Sequence, residues 1–387
     1  EYGTGRTLEE VVDIAEEIGY PVLARPSYVL GGRAMEIVYS KKQLIDYISR
    51  SADVTAGHPI LIDQFLEDAF EFDVDALCDG DSVHIGAVMQ HIEEAGIHSG
   101  GSAWVLPPYK ITAEALEEII RITEQLALKL NVVGLINLQF AYKDGQVYVL
   151  EVNPRASRTV PFVSKATNIP LARIASQLAV GAKLSDFELR KWDQSPYVAV
   201  KEAVLPFNKF PEESIFLSPE MKSTGEVMGV GLSFAEAFIK SQLGAGISLP
   251  RPVEGKQAFI SVRDNDKQQV VLLAGKLVDL GFELIGTKGT ATVIANSGIR
   301  IKVVNKVAEG RPHIVDLIKS GSISFILNTV EERKNAIIDS RSIRTSALTG
   351  NITTYTTISG AKAAIEGMLS IVESKLEVYN LRELIKP

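Results

Sequence analysis

Residues 150–158, Leu150-Glu151-Val152-Asn153-Pro154-Arg155-Ala156-Ser157-Arg158, decide how this chain is read. They end an apolar run, Gln146 to Asn153 (QVYVLEVN), which follows a second one, Gly134 to Tyr142 (GLINLQFAY), across Lys143-Asp144-Gly145. Two such runs around Asp-Gly mark a β-hairpin. Side chains alternate along a strand, so Glu151 and Asn153 share a face. A strict two-residue turn at Asp144-Gly145 would set Gln139 opposite Leu150. A three-residue loop through Gln146 would set it opposite Glu151, and this second arrangement is the one expected. The hairpin then gathers a carboxylate, two amide oxygens and two guanidinium groups. Oxygen-only ligands suit magnesium, which keeps waters and phosphates in its shell. Arg155 and Arg158 supply cationic partners for phosphate. A solvated sheet face also carries scattered polar residues, but the two arginines shift the reading to a metal-bridged nucleotide triphosphate and phosphoryl transfer.

The rest of the composition agrees. With 387 residues the chain is long enough for two or three domains with their own cores. A net charge of -8 and a pI near 5.4 argue against binding nucleic acid through its phosphates. Cys78 is the only cysteine, which excludes an internal disulfide framework and suits a reducing cytosol. There is no apolar run of membrane-spanning length and no signal peptide, so a cytoplasmic protein without a membrane partner is expected. The first residue is Glu1, and the chain is expected to be a piece of a longer protein.

Working outward, Thr7 to Ile18 reads as a helix opened by a Thr7/Glu10 capping box. Val22 to Arg25 and Ala34 to Ser40 read as strands, and Lys41 to Arg50 as a short helix. Pro59 to Phe65 and Phe70 to Cys78 read as strands joined by an acidic turn. Glu71-Phe72-Asp73-Val74-Asp75 alternates as a solvated acidic face would. Thr112 to Leu130 is a helix whose apolar face is expected to hold Leu116, Ile119, Ile120, Leu126 and Leu130. These mixed elements imply an α+β nucleotide-binding region, followed by a helical stretch from Leu171 to Leu189 and a strand-rich piece from about Ser195 to Gly244. Gly229-Val230-Gly231 begins like a dinucleotide fingerprint, but Phe234 stands at the third glycine position, so a structural role is expected. The Gly/Pro-rich linker Gly244 to Pro252 precedes a second region. From Gln257 onward strands and helices alternate, which implies a small α/β doubly wound parallel sheet. Gly286-Thr287-Lys288-Gly289-Thr290, Lys306 and Asn328-Thr329 all follow strands and should meet at the sheet's C-terminal edge as an anion site.

Four runs carry a wider likeness. Glu151 to Thr167 (EVNPRASRTVPFVSKAT), Arg25 to Met35 (RPSYVLGGRAM), Val204 to Phe210 (VLPFNKF) and Pro219 to Gly229 (PEMKSTGEVMG) closely resemble the second half of the carbamoyl phosphate synthetase large subunit. The resemblance spans essentially the whole chain. It implies an ATP-grasp domain over residues 1–244, a linker over 245–256 and a methylglyoxal-synthase-like regulatory domain over 257–387. It also implies ATP-dependent phosphorylation of carbamate to carbamoyl phosphate, serving pyrimidine and arginine synthesis. Glu151 would bridge two Mg2+ or Mn2+ ions, with Gln139 on one and Asn153 on the other, while Arg155 and Arg158 neutralise the transferring phosphoryl group. Arg25 would meet the nucleotide phosphates under a lid formed by residues 27–33. Gln64 and Leu66 would meet the adenine, Glu71 the ribose, and Gly96, Ile97, His98 and Ser99 would line the nucleotide site. Lys267, Thr287, Thr290, Lys306 and Asn328 match positions that bind a uridylate effector such as UMP, with Val330 in place of a threonine. In the ornithine pocket of well-known members Glu93 and Glu202 are kept, but Gly101 replaces an aspartate and Thr354 a tyrosine. Partners implied are the N-terminal part of the large subunit and a glutaminase small subunit. The chain alone is expected to bind MgATP or MgADP weakly and to make little carbamoyl phosphate from glutamine. The alternatives are another ATP-grasp carboxylate ligase and a non-catalytic nucleotide-sensing module.

Overall fold

The computed structural model describes residues 1–27, 34–55, 58–93, 97, 100–205, 209, 221–250, 255–329, 334–373 and 376–384. The glycine loop with Arg33, and Gly96, His98, Ser99, Pro206 and Val330, lie outside the described residues.

Strand β1 (Tyr2–Gly5), β2 (Val22–Pro26), β3 (Glu36–Val38) and β4 (Ile60–Gln64) form an antiparallel sheet in the order β1-β4-β2-β3. The helix Leu8–Ile18 opens with the expected capping box: the Thr7 hydroxyl accepts from the Glu10 amide at 3.2 Å, and the Glu10 carboxylate accepts from the Thr7 amide at 3.3 Å. Its apolar stripe of Val11 and Ala15 packs with Val22, Ala24, Leu44, Tyr47 and Ile62 in a small core.

The next sheet is larger and also antiparallel: β5 (Phe70–Asp79), β6 (Val83–His91), β7 (Trp104–Leu106), β8 (Val133–Lys143), β9 (Gln146–Asn153), β10 (Val198–Val204) and β11 (Gly225–Gly231). Their order is β11-β10-β7-β6-β5-β8-β9. Alternation gives this sheet one apolar face, in which Phe72, Val74, Ala76, Ile136, Leu138 and Phe140 share a core with the helices Ala113–Lys129, Val160–Thr167 and Leu171–Ala179. The buried face of the Ala113–Lys129 helix is Ala115, Ile119, Thr123 and Ala127, with Leu116, Ile120 and Leu126 at its flanks. Leu130, expected inside, caps the helix and is exposed. The expected helix to Leu189 stops at Ala179, because Gly181 turns the chain with φ +103° and two short 3₁₀ turns follow. The strand-rich piece beyond Ser195 also contains a helix, Phe234–Gly244.

The last sheet has β12 (Gln257–Ser261), β13 (Glu283–Gly286), β14 (Ile301–Val303), β15 (Ile323–Asn328) and β16 (Thr353–Tyr355) in the order β14-β13-β12-β15-β16, every neighbouring pair parallel. An α+β region followed by a doubly wound α/β sheet agrees with the expected fold class. The two regions share a core: Val105, Val200, Ala237 and Phe238 pack with Ala258, Leu273, Ala364, Ile365 and Met368. Arg263 adds ion pairs at 3.6 Å to Glu67 and 3.5 Å to Asp68, on the connection between β4 and β5. No helix among the described residues is long and apolar enough to cross a membrane.

Candidate functional site

The hairpin β8–β9 turns on two residues. Lys143 pairs with Gln146, and Asp144 and Gly145 both take positive φ, 50° and 81°, as a type I′ turn requires. The three-residue loop expected from the sequence is therefore not formed. Gln139 nevertheless faces Glu151, because the register shifts between Gln139 and Phe140: Phe140 pairs with Val149 and Gln139 with Glu151, leaving Leu150 as an extra residue in β9. A bulge of this kind re-aims the side chains beyond it. Asn153 then pairs with Asn137.

The neighbouring strand continues the polar face. Asp73 pairs with Gln139, Asp75 with Asn137 and Glu71 with Ala141. Asp73 and Asp75 are 1% and 0% exposed, so the alternating acids of β5 are buried and not the solvated face expected from their pattern. They persist there because each is hydrogen-bonded. Asn137 Nδ2 donates to both, at 3.0 Å each. His91 lies 3.0 Å from Asp73 and 3.2 Å from Glu71, its ring stacked 4.4 Å from Trp104. Burial pushes the Asp75 carboxyl up to about 6, against the hydrogen bonds from Thr159, Ser157 and Asn137. His91 was not singled out from the sequence, and the alternation of Asp73 and Asp75 pointed to a shared face without showing that it is buried.

Beyond Asn153 the chain turns, with the Arg155 amide donating to the Asn153 carbonyl at 2.8 Å and Arg155 Nη1 to the Ala156 carbonyl at 3.1 Å. Glu151, Arg155 and Arg158 are exposed, while Gln139 and Asn153 are half-buried. Arg25 and Gln64 lie on the four-stranded sheet, where Arg25 pairs with Asp63 at 2.9 Å. Leu66 lies on the connection between the two sheets, and Glu71 opens the β5 end of the polar face. Ile97 is half-buried. Among the described residues no three His, Cys, Asp or Glu side chains cluster as a metal cage. One carboxylate flanked by two amides fits a hard divalent cation that takes its remaining ligands from water and phosphate.

The parallel sheet brings the second set together. Ser261 pairs with Asn328, and Gly286 pairs with Ile260 and Val303, so the segments after β12, β13, β14 and β15 share one edge. Thr287 shares a hydrogen bond with Ser261 at 3.0 Å, and the Thr290 hydroxyl accepts from the Val262 amide at 3.1 Å. Asn328 donates to Ser340 at 2.8 Å, and its carbonyl accepts from the buried Arg344, a cation the sequence reading missed. Lys267 pairs with Asp264, and Lys306 is exposed at the mouth of this edge.

A third polar group sits where the two regions share their core. Gln242 donates to Glu202 and accepts from the Tyr355 hydroxyl at 2.9 Å. Tyr355 thus reaches Glu202 through Gln242. Burial, then the charge of Glu93, pushes the Glu202 carboxyl up to about 8, with Lys201 opposing. Glu93 is raised by burial too, and Tyr355 lies well above its ordinary value. A carboxyl raised on folding favours the folded state fully below its unfolded value of 4.5 and loses that contribution as pH rises through about 8. Glu202→Gln should therefore flatten the fall in melting temperature between about pH 5 and about pH 8.5. An unchanged slope in the variant would refute this assignment.

Residues 1–187 match the family described as carbamoyl-phosphate synthase L chain, ATP binding domain, and residues 269–356 match the MGS-like domain. The chain is 51% identical over 385 residues to the carbamoyl phosphate synthase large chain of Ralstonia nicotianae, covering 98% of this chain and 35% of that one. It is 50% identical over 395 residues to the carbamoyl phosphate synthase large chain, C-terminal section, of Methanocaldococcus jannaschii, covering 99% of this chain and 63% of that one. It thus spans about a third of the first relative's length and under two thirds of the second's. Among solved structures, the biotin carboxylase domain of the Hydrogenobacter thermophilus 2-oxoglutarate carboxylase aligns with a TM-score of 0.45 at 19% identity, over 53% of this chain and 46% of that one.

Proposed function

The chain belongs to the carbamoyl phosphate synthase large-chain family, as its C-terminal part, and from that we propose that its antiparallel sheet phosphorylates carbamate with ATP, giving carbamoyl phosphate and ADP. The observation that carries this is the pairing of Gln139 with Glu151 on one face, with Asn153 one pleat away and Arg155 and Arg158 directly after it. Glu151, Gln139 and Asn153 would hold two Mg2+ or Mn2+ ions, which supply charge neutralisation at the phosphates. Carbamate is a weak and unstable nucleophile, so its oxygen has to be held in line with the γ-phosphorus and shielded from water. That bond forms as the bond from the γ-phosphorus to ADP breaks. Arg155 and Arg158 balance the charge on the transferring group, a task that needs no general base. Arg25 would meet the phosphates, Glu71 the ribose, and Gln64 and Leu66 the adenine, with Gly96, Ile97, His98 and Ser99 closing the pocket. Lys267, Thr287, Thr290, Lys306 and Asn328 would hold a nucleotide effector of the UMP kind at the parallel-sheet edge. The 257–387 region is then regulatory, and the N-terminal part of the large chain and a glutaminase small chain complete a cytoplasmic enzyme of pyrimidine and arginine synthesis.

Calorimetric titration with MgADP tests the nucleotide site. The 387-residue chain should bind MgADP, and chelation of the metal should weaken binding by about tenfold or more. A cooperatively folded chain that binds neither MgADP nor MgATP would remove the basis for the site.

A further inference from the structure

Asp75 is fully buried and takes three side-chain hydrogen bonds. Ser157 Oγ donates to its Oδ1 at 2.7 Å, Thr159 Oγ1 to its Oδ2 at 2.6 Å and Asn137 Nδ2 to its Oδ1 at 3.0 Å. Ser157 and Thr159 are the two neighbours of Arg158 in sequence. Both turn inward onto the carboxylate, and the arginine between them is exposed. The two hydroxyl oxygens lie 2.7 Å apart, side by side on the carboxylate.

We propose that Asp75 is a positioning residue for phosphoryl transfer, fixing Arg158 over the polar sheet face by holding the hydroxyls of Ser157 and Thr159. This rests on the reading of Arg158 as a phosphate partner and deepens it. Three features support it. Thr159 stands at the N-cap of the Val160–Thr167 helix, where a threonine hydroxyl normally accepts from the first free amides. Here it makes no cap bond, and its hydroxyl proton goes to Asp75. Next, a buried carboxylate is a costly way to build a core, and only an acceptor-only group can take all three donors at once. Finally, Asn137, the third donor, pairs across the sheet with Asn153, the residue at which the arginine loop leaves β9. One carboxylate therefore ties the sheet to both sides of Arg158.

The test uses the full large chain with its small chain and reads ATP formation from carbamoyl phosphate and MgADP. Asp75→Asn keeps the shape but replaces one acceptor oxygen by a donor facing Asn137 and the hydroxyls. It should lower kcat about 10- to 100-fold while the KM for MgADP changes less than about two-fold, since the loss is one of alignment. The double variant Ser157→Ala/Thr159→Val cuts the same link from the other side and should give a similar loss. Joining it to Asp75→Asn should add little, because all three changes remove one interaction. Thr159→Ser, which keeps the hydroxyl, should retain activity. Where Asp75→Asn fails to fold, the Ser157/Thr159 variants decide alone. Multiplicative losses, or a fully active Ser157→Ala/Thr159→Val enzyme beside an inactive Arg158→Ala enzyme, would overturn this inference and leave the functional reading intact. Full activity of Arg158→Ala would overturn both.

Discussion

Exchange of Glu151 for glutamine is expected to lower ATP formation from carbamoyl phosphate and MgADP by about 10³-fold, or ~4 kcal/mol of transition-state stabilisation. The amide keeps the shape of the side chain and removes its charge. Within the proposed ligand set Gln139 and Asn153 are neutral, so the variant would leave the cations without a charged protein ligand. Among the described residues the nearby acids are already engaged. On the same face Glu71 and Asp73 hold His91, and Asp75 is committed to Ser157, Thr159 and Asn137. The loss should appear mainly in kcat, with weaker MgADP binding and unchanged affinity for ADP measured without metal. An Glu151→Gln enzyme within about tenfold of the parent would show that the metal-bearing carboxylate lies elsewhere.

How much of this site can be read from sequence differs from residue to residue. The face shared by Glu151 and Asn153 follows from strand alternation and was legible. Its pairing with Gln139 was expected for a different reason from the one the structure gives. The turn takes the two residues that Asp-Gly favours, and a bulge at Leu150 restores the pairing. A bulge leaves little trace in sequence, because the extra residue is itself apolar and continues the strand pattern. The acids of β5 mislead in the opposite sense. Alternation says which face they occupy but not whether water reaches it, and here His91, Asn137 and the two hydroxyls replace water. Those partners come from segments 18 to 84 residues away in sequence, so local pattern does not announce them.

The same limit applies to the fold. The parallel sheet was legible from the alternation of short apolar strands with helices. The inner face of the Ala113–Lys129 helix is centred on Ala115, Ile119, Thr123 and Ala127, with Leu116, Ile120 and Leu126 packed at its flanks and only Leu130 of the expected face left outside. Small residues at close contacts score poorly on hydrophobicity, yet they set how near two elements can lie.

That consideration yields the second large effect. Gly229 and Gly231 on β11 lie under the Phe234–Gly244 helix, and a Cβ at Gly229 would fall onto the Ala237 carbonyl and the Ser241 amide. A Cβ at Gly231 would come within 2.8 Å of the Ala237 amide. Both obstacles are backbone, so relief requires the helix to move. The same helix carries Phe238, which packs into the core shared with the parallel sheet, and Gln242, which holds Glu202. Lifting it therefore loosens strand, helix and interdomain core together. Gly229→Ala should destabilise the chain by about 3 kcal/mol, at or above the upper end for overpacking. Gly275, in the Lys267–Asp279 helix, supplies the contrast. A Cβ there meets nothing nearer than Ile299 at 3.9 Å, so Gly275→Ala should be neutral or stabilise by up to about 1 kcal/mol through helix propensity. Urea unfolding of the two variants beside the parent measures both shifts. Equal midpoints for Gly229→Ala and the parent would mean that the helix does not rest on β11 as closely as the structure has it, and the joint between the regions would need another account.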